Sequence, residues 1–256
     1  LLDEVIRLYG DVQDIAVERD STPSEAPQAD FRYNWERGSN EQTHIAIGYH
    51  VPGALSEERF GFDVIRAILT TGRASRINRF LRDEQGVISS GSASLSVFRD
   101  LGYFEIALET VASPVAAGVA ALAEIEQIKQ FGVTGEELSR AKILLAQEFY
   151  HRLETVDGIA EELSRHEALG DWKRTNAYLP GIQRVKASDV SRFANKYFTN
   201  DNLGFFEYLP VSVTRSFSSI DFRDNVLQLV TRAVIERSVE ELPVSAEVRP
   251  LDQELV

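Results

Sequence analysis

The sequence predicts an α+β fold: an antiparallel sheet with helices packed on one face. Three observations carry this. Thr43 to Val51 alternates, with Ile45, Ile47, Tyr49 and Val51 on one side and His44, Ala46, Gly48 and His50 on the other. Two further strand patterns, 88–98 and 103–111, are joined by Arg99-Asp100-Leu101-Gly102, a hairpin-like turn that makes them antiparallel neighbours. Helical patterns bunch together after residue 114 instead of alternating with strands.

Taken in order, residues 1–9 read as the last turns of a helix, stopped by Gly10. Ser21 to Asp30 is a Pro/Ser/Ala linker. Pro52-Gly53 ends the first strand, and Ser56 is placed to cap a helix running to about Thr71. Gly72 separates it from a second helix over 74–84. Pro114 after Ser113 opens a long helix with Val119, Leu122, Ile125 and Ile128 as its apolar stripe. Thr134 and Glu137 form a capping box before a helix with Leu138, Ala141, Leu145, Phe149 and Leu153 in line. Further helices cover 156–169 and 188–198, and Leu203 to Leu209 is a closing strand. Residues 222–239 are helical, and the acidic, Pro-containing 240–256 reads as a linker. The chain therefore divides into 1–30, the end of a preceding domain plus linker; 31–210, the main domain; and 211–256, a helical linker towards a further domain.

Composition bounds the function. At 256 residues and 43% hydrophobic, the chain can build a sizeable core. A net charge of −13 disfavours nucleic acid and anionic membrane surfaces as partners. No run of 18 apolar residues predicts a membrane span, and the absence of cysteine excludes disulfides and thiolate metal sites. A soluble chain of this kind suits cytoplasm and periplasm equally. The chain begins Leu1-Leu2-Asp3 and contains no Met, and it is expected to be a segment of a longer protein.

Four histidines are the candidates for metal or acid–base chemistry. His44 and His50 share a strand face but lie about 20 Å apart at roughly 3.3 Å per residue, too far to hold one metal. His151-Arg152-Leu153-Glu154-Thr155 approaches the H-x-x-E-H zinc pattern but has Thr155 at the second ligand, so a solvated His–Glu contact is expected instead. His166, in line with Ile159 and Leu163, is expected at a helix boundary with one hydrogen bond. No G-x-S-x-G, P-loop or G-x-G-x-x-G is present. No catalytic or metal-ligating residue is assigned to this chain.

Gly72-Arg73-Ala74-Ser75-Arg76-Ile77-Asn78-Arg79-Phe80-Leu81-Arg82-Asp83-Glu84-Gln85-Gly86 resembles the G-x-x-S-R-L-x-x-x-L-R-E-x-x-G stretch of insulinase/pitrilysin-like zinc peptidases, which include the mitochondrial processing peptidases. Gly102-Tyr103-Phe104-Glu105-Ile106 and Thr134-x-x-Glu137-Leu138-x-x-Ala141-Lys142 resemble two more of that family's segments, in the family's order. The resemblance spans about Thr43 to Leu209. It implies a non-catalytic, chamber-forming and substrate-facing domain, with zinc held by a neighbouring catalytic domain. The partners implied are adjacent peptidase domains or a partner subunit, and a peptide substrate. The alternative is an assembly subunit of the same fold in a parent without peptidase activity. In some members an Arg and, seven residues later, a Tyr bind substrate backbone. Arg82 matches the Arg, and Ser89 stands at the Tyr position. An ion pair at the helix end with Asp83 or Glu84 is the other reading of Arg82.

Overall fold

The computed structural model describes residues 2–12, 26–213 and 219–240. Residues 13–25 and 241–256, which include much of both expected linkers, lie outside the described residues.

One five-stranded sheet has the order β1-β5-β2-β4-β3. Its strands are β1 (Arg32–Gly38), β2 (Thr43–Pro52), β3 (Ser90–Val97), β4 (Leu101–Thr110) and β5 (Leu203–Pro210). The central β2 pairs antiparallel with β4, Ile47 opposite Ile106, and with β5, Ile47 opposite Phe205. β3 and β4 form the expected antiparallel hairpin. β1 is the exception to the all-antiparallel expectation, because it pairs parallel with β5, Tyr33 opposite Phe205. Its sequence predicted no strand: only Tyr33 of its seven residues is buried, so there is no alternation to see. No local turn marks its pairing with β5 either.

Helices cover one face. α2 (Arg59–Thr70), α3 (Pro114–Phe131) and α7 (Ala187–Tyr197) lie on the sheet, α4 (Gly135–Arg152) packs on α2, and α5 (Val156–Ala168) and α6 (Tyr178–Arg184) follow. Phe62 of α2 is fully buried at the centre, its ring 5.3 to 6.4 Å from those of Tyr197, Phe198, Phe193 and Phe104. Such rings add about 0.5–1.5 kcal/mol per pair beyond the area they bury. β2 and β4 alternate strictly between buried and more exposed residues, and β5 does so until its last two residues. One face of the sheet thus meets the helices, while the other carries none of them among the described residues. Among the described residues no helix is long and apolar enough to cross a membrane.

Several local expectations are corrected. α2 starts at Arg59, not at Ser56; the Ser56 Oγ instead accepts from the Glu58 N–H at 3.2 Å in the turn before it. The second helix is a π-helix over Ile77–Glu84. A 3₁₀ turn, Trp172–Ala177, and α6 follow α5, where the sequence marked no element. α8 (Ser219–Glu240) was expected within a linker, yet it packs along α3 through Val226, Val230 and Val234. Its Phe222 stacks on Tyr33 at 4.0 Å. The i, i+4 repeat of these residues gives α8 one buried stripe.

The capping box at Thr134 and Glu137 forms as expected and does a second job. Arg76 donates to both Glu137 carboxylate oxygens, at 2.7 and 3.0 Å, and to the Gly132 carbonyl at 3.0 Å. These side chains are only 11% and 16% exposed. Burial works to raise the Glu137 carboxyl, but Arg76 and the Thr134 N–H outweigh it and hold it below the usual carboxylate range. On the other side of Arg76, the Asn78 amide lies 3.0 Å from the carbonyls of Thr70 and Gly72 and from the Ser75 Oγ. Gly72 turns the chain there at φ +80°, a conformation that favours glycine.

Replacing Arg76 with Ala strands a mostly buried carboxylate, and should cost about 3 kcal/mol. Because the Glu137 carboxyl is lowered in the fold, that contribution is present above the unfolded pKa, about 4.3, and shrinks as pH falls through the folded value. Urea unfolding of wild type and Arg76→Ala at neutral and acidic pH checks both size and sign. Gly61→Ala tests the packing under α7. A Cβ there meets the Phe193 ring at 2.2 Å. The clash should outweigh the helix propensity gained, for a net loss of about 1–2 kcal/mol in the same measurement.

Candidate functional site

The open sheet face is built by register. Across β1, β5, β2, β4 and β3, one row runs Asn34, Phe206, Ala46, Ala107, Ser92. The next runs Arg32, Gly204, Gly48, Glu105, Ser94. Where Gly204 of β5 lies beside Gly48 of β2, the surface is bare backbone. A Cβ added to Gly48 would meet only the Phe104 carbonyl, at 4.0 Å, and one added to Gly204 only the Gly48 carbonyl, at 3.7 Å. Neither glycine is therefore demanded by crowding. Together they leave a shallow depression of about 250 Å³, walled by Arg32, Asn34, Tyr103, Glu105 and Phe206. A bare floor between aromatic and charged walls lets another backbone approach closely.

His44 and His50 lie on this face near the two ends of β2, while His151 and His166 belong to α4 and α5 on the helix side. His44 lies opposite Glu109, Nδ1 to Oε1 3.5 Å, and both are about half exposed. His50 lies opposite Tyr103, at the far end of β2, and its backbone is held by the Asn202 side chain. His151 pairs with Glu154 at 3.0 Å in open solvent. The H-x-x-E-x segment also straddles a helix break: α4 ends at Arg152, and Thr155 is the N-cap of α5, its hydroxyl accepting from the Gly158 N–H at 3.1 Å. His166 is buried, with its Nδ1 2.9 Å from the Glu162 carbonyl and 3.2 Å from the Thr175 hydroxyl, two partners where one was expected. Among the described residues no group of three or more His, Cys, Asp or Glu is placed to hold a metal ion.

Arg82 and Ser89 each have partners of their own. Arg82, in the last turn of the π-helix, donates to Asp83 at 2.8 Å and to the Asn78 side-chain carbonyl at 3.2 Å. Its guanidinium holds the Asp83 carboxyl below its usual range. Ser89, just before the edge strand β3, donates to the Gln42 side chain at 2.7 Å and lies 3.1 Å from the Glu109 carbonyl. The alternation of β2 marked Ala46 and Gly48 of the depression in the sequence. Gly204 and Phe206 carry the same period-two signal in β5, but which strand lies beside β2, and in what register, is not local information. Arg32 and Asn34 carried no such signal at all.

The family model for the peptidase M16 inactive domain matches residues 7–145, more than half of the chain. An uncharacterized zinc protease of Mycobacterium tuberculosis is 26% identical over 156 residues, covering 60% of this chain and 36% of the relative. The chain thus spans about a third of the length of the curated relatives it matches. Among solved structures, a protease from Helicobacter pylori superposes with TM-score 0.75 at 20% identity, over 82% of this chain and 52% of that one. The periplasmic protease PqqL from Escherichia coli does so with TM-score 0.72 at 16% identity, over 100% of this chain and 29% of that one. At those identities the superpositions show the fold, and the family model carries the assignment: the chain belongs to the peptidase M16 inactive-domain family.

Proposed function

We propose that this chain is the non-catalytic, substrate-facing domain of a zinc metallopeptidase. It would complete a chamber whose catalytic domain, outside this chain, holds the zinc. The family match and the zinc-protease names of the relatives support the class. The observation that carries the substrate-facing part is the Gly48–Gly204 floor: two neighbouring positions on an uncovered sheet face that the fold itself does not require to be glycine. An extended peptide lying on that floor would meet backbone where other rows present side chains. Strand addition along a sheet edge is a second mode that the fold permits, although the Ala93 N–H on edge strand β3 is already engaged by the Thr70 hydroxyl. The exposed Leu2, Ile6 and Tyr9 of α1 (Leu2–Tyr9) support an adjoining domain packed against that end.

The chain's own residues position peptide and leave chemistry to the neighbour. Peptide hydrolysis on zinc needs three protein ligands and a carboxylate base. His151 with Glu154 offers one imidazole, exposed at a helix break. The 256-residue chain alone should therefore cleave no peptide in a mixed library, with or without zinc. Zinc-dependent cleavage that disappears in Glu154→Gln would sink this reading.

In the full-length parent, Gly48→Val builds into the depression, where the added Cβ meets only the Phe104 carbonyl, at 4.0 Å. It should lower kcat/KM on peptides about tenfold, equivalent to roughly 1.4 kcal/mol of lost binding, with unchanged thermal stability. Arg82→Ala, assayed alongside, should raise KM several-fold if Arg82 touches substrate. Unchanged turnover in Gly48→Val would remove the open face from substrate binding, and unchanged KM in Arg82→Ala would reduce Arg82 to its pair with Asp83.

A further inference from the structure

On the helix side, beside the edge strand β3, lies a recess of about 680 Å³ between α2, α4, α5 and α6. Its charge is opposite to that of the chain. Five arginines line it, against the three carboxylates of Asp63, Glu148 and Glu162, in a protein of net charge −13. Most of these arginines are already engaged. Arg66 of α2 pairs with Glu148 of α4 at 2.7 Å. Arg152 of α4 and Arg165 of α5 lie 3.9 and 4.0 Å from the Glu162 carboxylate. Arg99, from the β3–β4 turn, lies 3.9 Å from Asp100.

Arg59 is different. It is half-buried one turn before Asp63 on α2, and its guanidinium lies over the neighbouring Phe60 ring at 4.5 Å. Among the described residues it has no carboxylate within 4.0 Å, and burial works against its charge. Across the recess Tyr178 is buried, its ring stacked on Phe149 at 5.1 Å and 5.9 Å from the Arg152 guanidinium. The Tyr178 phenol is pushed up by burial, so it stays protonated and able to donate. A half-buried guanidinium with Asp63 one turn away but no carboxylate within ion-pair distance, beside a phenol donor, suits a carboxylate, which takes two hydrogen bonds from one guanidinium. The like charges of Asp63, Glu148 and Glu162 oppose a dianionic phosphate about twice as strongly as a singly charged carboxylate.

We propose that this recess binds one carboxylate of an acidic peptide, held by Arg59 with the Tyr178 hydroxyl and Arg152 beside it. The proposal extends the peptide-facing reading to a second surface, and it is tested by binding instead of turnover, so that the two can fail separately. Asp63 sets the pH response. Burial pushes its carboxyl up to about 6, against the opposing pull of Arg66, Arg59 and Arg152. Above that pH Asp63 competes with a bound carboxylate, and below it the competition is lost. The other groups facing it are Glu148, Glu162, Arg165 and His166, the last held at the Glu162 carbonyl.

The experiment measures fluorescence anisotropy of an acetylated, amidated peptide with Glu at alternate positions, against its Gln counterpart, on the full chain. The Glu peptide should bind at least about tenfold tighter than the Gln peptide at about pH 7.5. Arg59→Gln should abolish that preference. Asp63→Asn should tighten Glu-peptide binding several-fold at about pH 7.5 and by little at about pH 5, where the wild-type Asp63 is largely protonated. Thermal melts confirm that both variants are folded. Equal binding of the two peptides, an unaffected Arg59→Gln, or displacement by inorganic phosphate at the concentration of the Glu peptide would each overturn the carboxylate assignment.

Discussion

Arg76 reaches from the turn that follows α2 to the start of α4 and closes on Glu137, itself already the second half of a helix cap. Through that one ion pair, and the Gly132 carbonyl it also binds, the end of the sheet-covering α2 is tied to the helix packed outside it. The Asn78 amide completes the joint by holding the carbonyls of Thr70 and Gly72. The segments that carry the family resemblance are thus largely a structural joint. Ser75, Arg76 and Asn78 hold backbone and a carboxylate in place, and Arg82 at the far end of the π-helix donates to Asp83 and to the Asn78 side chain.

Fixing the helices in this way leaves the sheet with two unlike faces. The buried face is dense with apolar side chains, while the open one presents serines on β3, alanines and glycine in the centre, and scattered charges. An uncovered apolar sheet face would invite aggregation or a partner's core. This face mixes Phe206, Tyr208 and Tyr103 with polar and charged side chains, and at Gly48 and Gly204 it carries no side chain at all. The arginine-lined recess lies beside the edge strand β3, while the Gly48–Gly204 floor lies between β2 and β5 in the middle of the sheet, so the two proposed peptide contacts sit on separate parts of the domain.

The incompleteness of the zinc-like pattern has a local structural counterpart. The residues that look most like a zinc motif fall where α4 stops and α5 starts, and Thr155 is occupied as the cap of the second helix. A helix that carries ligands one turn apart needs continuous backbone through both positions, which a cap at the second position removes.

The sequence by itself determined the alternation of β2 and β4, the β3–β4 hairpin, the capping box at Thr134, and the lack of a second imidazole after Glu154. Each depends on neighbours a few residues away, and period, turn and cap are local properties of the chain. Only the tertiary structure decided that Arg32 to Gly38 is a strand, since its pairing partner lies about 170 residues away in β5 and supplies what its own composition lacks. It alone set Gly204 beside Gly48, packed α8 on α3, and gathered arginines from α2, α4 and α5 around Asp63. Those arrangements depend on register between distant strands and on packing between helices, which no window of sequence contains.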